Sequence, residues 1–432
     1  MARLGLGAGE FRPFSVRGVA VISDHSVAAA PSPVQIAVLE SVAPHMRHNP
    51  YGSYETLRVA GPFVPGPHDT HLVTRHSEAQ AIMQDPRWSH AEEPDLLHGD
   101  SDVELPGSFL WMEPPEHTRL RGLVSKAFTA RTVSGMRDYA ERLVGELLDK
   151  ALAQGEVDLL DALAYPLPLS MICDLLGVPA EAHEHVRSMS TGIARGLDPD
   201  VLLSPEELAA RTTAVNDFLE FFGDLVDQRR KAPRPDLITA LVQAEDAGAR
   251  LTRTELLGTL LILVVAGHET TVNLIGNGVL ALIRNPEEFA RLGAFPELSE
   301  PAVDEVLRYD APVHLTTRTA HADITVSGRT FAEGEAVIVL LASANRDPLA
   351  FPDADRFDIA RYARGSRAER HLSFGLGLHY CLGAPLARLE MSAALRAIAG
   401  RVRSMTLLEE PPYRPNVVVR GMSQLRVRLE PR

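Results

Sequence analysis

Ten residues near the C-terminus constrain this chain more than any other stretch. Phe374-Gly375-Leu376-Gly377-Leu378-His379-Tyr380-Cys381-Leu382-Gly383 sets three glycines and two aromatic residues around one of only two cysteines in 432 residues. Glycines let the backbone turn tightly and come close to something flat and bulky. From Leu382 to Ile398 the apolar residues Leu386, Leu389, Ala393, Leu395 and Ile398 recur at helical spacing, so Cys381 is expected at a helix N-terminus. The unpaired N–H groups and dipole there favour a thiolate over a thiol. Such a thiolate could be a nucleophile, a redox thiol or a metal ligand. A nucleophile needs a base in reach and zinc needs further ligands at short spacings, and His371 and His379 alone do not decide among the three. Cys173, on an apolar helix face with Ile172 and Leu175, reads as a buried structural thiol.

Two cysteines cannot build a disulfide framework, and the start lacks the basic and apolar regions of a secretion signal, so a reducing, cytoplasmic setting is expected. A hydrophobic share of 45% is ample for a large core. No run of about 18 apolar residues is present. The nearest, Leu256 to Val265, flows into Gly267, His268 and Glu269, and a soluble protein without a membrane partner is expected. A formal net charge of −14 argues against nucleic acid and anionic membranes.

Helical patterns fill most of the chain, without repeats or long linkers. Residues 1–45 read as an extension with one short helix, and 46–432 as a single domain. Helices are expected over Ser134–Leu152, over Pro168–Leu176 with a stop at Gly177, and from Pro205, where Ser204 and Glu207 form a capping box. Strands are short and few: Thr70–Thr74, Ile324–Val326, Val337–Leu340 and Asn416–Arg420. The class is mainly α with small β-sheets.

The pattern Phe374-Gly375-x-Gly377-x-His379-x-Cys381-x-Gly383 resembles the heme-binding loop of the cytochrome P450 family. The resemblance implies that Cys381 is the axial ligand of heme b (iron protoporphyrin IX), with Phe374 and Gly375 part of its cradle. A thiolate ligand pushes electron density through iron and favours O–O cleavage.

Further motifs follow in the family's order. Ala266-Gly267-His268-Glu269-Thr270-Thr271 lies in the middle of a long apolar helix, where Gly267 and a Thr270 hydroxyl bonded to Ala266 are expected to kink it. The resemblance implies that this helix crosses the oxygen-binding face of the heme, with Ala266 and Gly267 making room and Glu269 and Thr270 feeding protons. His268 reads as a packed or solvated side chain. Glu305 and Arg308, three apart on one helix face, resemble the family's structural Glu-x-x-Arg pair. His117 and Arg121, after Glu113-Pro114-Pro115, match positions that hold one heme propionate, and Arg318 and His371 match those that hold the other. The family commonly has aspartate where this chain has Glu113.

From about residue 46 onward the resemblance implies a single triangular domain with heme between the long central helix and the cysteine loop. It also implies a monomeric bacterial monooxygenase that inserts one oxygen atom from O2 into a bulky, mostly apolar molecule, by hydroxylation or epoxidation, in natural-product metabolism. Electrons would come from a separate ferredoxin and ferredoxin reductase, docking on a basic proximal face for which Arg119, Lys126, Arg370 and Arg388 are candidates. Phe109, Ile193, Val313, His314, Val418 and Val419 are expected at the substrate, with His314 the polar exception. The alternative is a heme-thiolate protein that does not activate O2, either a peroxide-driven enzyme or a heme sensor. If Cys381 is the thiolate on iron, Cys381→Ser abolishes the long-wavelength band of the reduced carbon monoxide complex and Cys173→Ser retains it; difference spectra of the two variants decide the assignment.

Overall fold

A computed structural model describes residues 30–90, 108–246 and 249–432, so the first 29 residues of the expected extension lie outside the described residues. Local signals set several helix ends. Ser204 and Glu207 exchange hydrogen bonds in a capping box that starts helix Pro205–Lys231. Gly177, at φ +78°, ends Pro166–Leu176 in the left-handed region, where glycine bears no steric cost. The helix expected over Ser134–Leu152 divides into Ala130–Gly135 and Arg137–Gln154. In residues 30–45 a short helix, Pro33–Val42, packs against Tyr51–Ala60.

The central helix, Arg253–Arg284, is capped by Thr252 and Glu255, and the Glu255 carboxylate also receives the Arg119 guanidinium. Thr270 donates to the Ala266 carbonyl at 2.6 Å and Thr271 to the Gly267 carbonyl at 3.1 Å. The expected kink does not interrupt the element, which runs for 32 residues. By length and composition it could cross a membrane, yet 83% of its apolar window is buried. Helices Pro166–Leu176, His183–Arg195 and Ala384–Arg401 pack around it, and their side chains form one large core.

The sheets are small. The largest has strand order Phe63–Pro65, His71–Val73, Ala336–Val339, Thr316–Ala320, Trp88–Ser89, with only the pairing of 71–73 to 336–339 parallel. The strand expected at Asn416–Arg420 does not form: a single bridge, Val313 to Val419, fastens that segment. One bridge fixes position without building a ladder.

Helix Ser299–Tyr309 carries Glu305 and Arg308, both fully buried. Arg308 Nε and Nη2 each lie 2.8 Å from the Glu305 carboxylate, and its remaining N–H groups reach the carbonyls of Asn345, Ala354 and Arg356. Glu305 also accepts from Arg361 and the Asp358 N–H. Removing one partner leaves the other charge in the core. Glu305→Ala is therefore expected to cost roughly 3–5 kcal/mol of stability, read from denaturant midpoints, with Glu305→Gln between the two.

Candidate active site

A cavity separates the central helix from the Cys381 loop. Ala266, Gly267 and Thr270 face it from one side and Phe374, Cys381 and Gly383 from the other, while Phe109 and Val313 close its flanks and Arg121 and His379 stand at its edge. Ala266 is exposed in the middle of an otherwise buried helix because the cavity lies in front of it. Gly375 and Gly377, both at φ +65°, turn the loop. At Gly377 a Cβ would come within 2.7 Å of the Met83 carbonyl, so only glycine fits there.

Cys381 precedes helix Ala384–Arg401, as expected, and its N–H donates to the Phe374 carbonyl at 2.9 Å. The expected preference for thiolate is reversed by burial, which pushes the thiol up. The N–H groups of Gly383 and Ala384, then Arg121 and Arg388, pull it back only in part. A bound metal cation would restore the thiolate outright.

The cavity edge gathers two arginines and two imidazoles. His117 and His379 are 4.6 Å apart, ring centre to ring centre, and among the described residues their four buried ring nitrogens have no hydrogen-bond partner; burial pushes both rings down, His379 to about 4, so they stand neutral near pH 7. Arg318 is 4% exposed and among the described residues donates to Thr316 and Thr317, and burial pushes it down to about 10. Arg121 reaches the Tyr380 carbonyl. Glu113 is the acid of the group; it accepts from Ser89 and the His90 N–H and stands 3.4 Å from His379. Two arginine cations and neutral imidazoles able to donate call for further acceptors, and the two carboxylates of heme fit that need.

His371 requires a correction. It does not line the cavity; its Nε2 lies 3.0 Å from Asp304. The Leu372 N–H bonds to the Asn345 side chain and the Ser373 hydroxyl to the Leu307 carbonyl, which turns His371 toward helix Ser299–Tyr309. His379, on the turn Gly377–His379, stands beside His117 instead. Its place two residues before the cysteine, after two glycines, was the available signal.

His314 is also displaced from its expected role. Val313 faces the cavity, so the next residue along extended backbone faces away; His314 is fully buried against Tyr54, whose hydroxyl lies 3.0 Å from Nδ1. Ile193 is in the core and Val418 does not line the cavity. Val419 lines a neighbouring cleft, where Glu269 accepts from Thr191 at 2.6 Å and Arg414 at 2.9 Å. Burial pushes the Glu269 carboxyl up, against the Thr191 bond and Arg187. Of the basic residues expected at a donor face, Arg119 is engaged by Glu255 and Arg388 by Asp304, whereas Lys126 and Arg370 are exposed.

Residues 59–294 and 297–403 match the family model described as Cytochrome P450. The chain is 38% identical over 395 residues to cytochrome P450 monooxygenase PikC of Streptomyces venezuelae, covering 88% of this chain and 91% of the relative. It is 37% identical to 6-deoxyerythronolide B hydroxylase of Saccharopolyspora erythraea, covering 88% and 96%. Among solved structures, P450BioI in complex with an acyl carrier protein superposes with a TM-score of 0.82 at 34% identity, covering 90% of this chain and all of that one.

His268, fully buried beside Glu269 with Nδ1 3.3 Å from Ser190, is pushed down to about 3, first by burial and then by Arg187. A depressed histidine gives stability that is complete above its unfolded value of 6.5 and lost as pH falls toward 3. Between pH 7 and 5 this group alone removes about 2 kcal/mol. His268→Gln should lose correspondingly less over that interval, measured as urea midpoints at the two pH values.

Proposed function

The chain belongs to the cytochrome P450 family and is a heme b monooxygenase, and from that premise we propose that it oxygenates a bulky, mostly apolar natural-product intermediate. Relatives whose names include a 6-deoxyerythronolide B hydroxylase and a polyketide biosynthesis P450 of Bacillus subtilis support the substrate class. The mostly apolar flank of the cavity, with Phe109 and Val313 and without His314, supports it too. In this proposal the enzyme works as a cytoplasmic monomer and takes electrons from a ferredoxin and its reductase.

Heme, when bound, would supply dioxygen activation at its iron. Cys381 would provide the thiolate that holds the iron, and the Gly383 and Ala384 N–H groups beside it would moderate its donation. His117, Arg121, Arg318 and His379 would hold the heme carboxylates; His379 takes the place first given to His371. Ala266 and Gly267 leave space on the distal side, and Thr270 offers a hydroxyl there once it rotates from the Ala266 carbonyl.

Glu269, one residue before Thr270, faces the adjacent cleft, where Thr191 and Arg414 hold it. A carboxyl raised by burial can pick up a proton from that cleft and release it toward the Thr270 side. The observation that carries the reading is the single cavity shared by Thr270 and Cys381.

Thr270→Ala tests it, because the substitution removes the hydroxyl and leaves the cysteine and the cations in place. Nicotinamide oxidation through surrogate ferredoxin partners should continue while hydrogen peroxide replaces oxygenated product. The measurement is product formed per reduced nicotinamide consumed, with peroxide counted alongside. An unchanged ratio, together with a wild type that turns over with added peroxide, would favour a protein that does not reduce dioxygen.

A further inference from the structure

One carboxylate oxygen behind the cysteine loop ties three segments together. Asp304 Oδ1, on helix Ser299–Tyr309, accepts from His371 Nε2 at 3.0 Å and from Arg388 Nε and Nη2 at 3.0 and 2.8 Å. Arg388 belongs to the helix that starts just after Cys381. Its guanidinium lies 4.6 Å from the centre of the Phe374 ring, and its Nη1 is 3.3 Å from the Tyr380 hydroxyl. Phe374 and Tyr380 belong to the loop that presents the cysteine, and the Phe374 carbonyl holds the Cys381 N–H.

We propose that Asp304 is a positioning residue that holds Arg388 against the cysteine loop and offsets its charge there, and so sets the reduction potential of the bound heme. The proposal rests on the reading of Cys381 as the thiolate on iron. Adding one electron to ferric heme lowers the positive charge of the site, so an unbalanced cation nearby favours reduction and an unbalanced anion opposes it. The wild-type pair is close to balanced. Removing either member exposes the charge of the other, and the two changes have opposite signs. Arg388 is 33% and Asp304 27% exposed, so solvent screens part of each effect. A pair that served only to pack the two helices would leave the potential unmoved by an isosteric change.

The test is a dithionite titration of the substrate-free protein, which bypasses any docking of an electron donor. Asp304→Asn should raise the midpoint potential, Arg388→Gln should lower it, and the double variant should return near wild type, all with the long-wavelength carbon monoxide band retained. Asp304→Glu, which keeps the charge, should stay closer to wild type than Asp304→Asn. Should Asp304→Asn fail to hold heme, the lowered potential of Arg388→Gln and the behaviour of Asp304→Glu still decide. Equal potentials, or shifts of the same sign, in variants that keep the band would overturn the role of Asp304 alone. A wild type lacking the band would overturn the assignment of Cys381 and this proposal with it.

Discussion

The buried Glu305–Arg308 pair is the joint on which the cysteine side of the cavity depends. From Asn345 to Leu376 the chain makes turns and bends with no helix or strand of its own, so no ladder of backbone hydrogen bonds holds it. Arg308 substitutes for one by reaching three of its carbonyls, and Glu305 gathers Arg361 and the Asp358 N–H. A guanidinium has donors in a fixed planar fork and stays charged at any physiological pH. It therefore acts as a rigid multi-point bracket at a place where regular structure is missing. The Asn345 side chain continues the bracket to Leu372 and Ser373, at the root of the cysteine loop.

The opposite wall is organised differently. There a single long helix supplies Ala266, Gly267 and Thr270 at helical spacing, so one rigid element sets all three at once. Its first turn is linked to the segment bearing His117 and Arg121 through Glu255 and Arg119. The cavity thus lies between a regular wall and an irregular one, with Arg121 from a helix, Arg318 from a strand and the neutral His379 imidazole from a turn meeting at the edge they share. Convergence of two partly or fully buried arginines is costly in isolation. It is understandable where a dianionic group is to be held.

Features written in short stretches of sequence were legible. The capping box at Ser204, the stop at Gly177 and the cysteine before a helix each depend on residues within a few positions of one another. The direction of single side chains was not. His371 faces Asp304 because of bonds made 27 and 66 positions away, and His314 meets Tyr54 across 260 positions. Both histidines sit beside cavity-forming sequence, and only the register of distant partners turns them from it. The Asn416–Arg420 segment has strand-like composition but finds one bridge in place of a neighbour. Asp304 carried no local signal, since an acid on a helix turn looks the same in sequence whether it meets water or an arginine and a buried imidazole.

The hydroxyls of Thr270 and Thr271 each rest on the carbonyl one turn back, within a helix that stays whole. The Thr270 hydroxyl, at the cavity wall, can leave its carbonyl by turning about a single side-chain torsion, a motion of picoseconds to nanoseconds, whereas shifting a packed helix takes microseconds or longer. The distal wall therefore separates two clocks: a slow scaffold that keeps the cavity's dimensions constant, and a fast donor that can be presented and withdrawn many times before that scaffold moves.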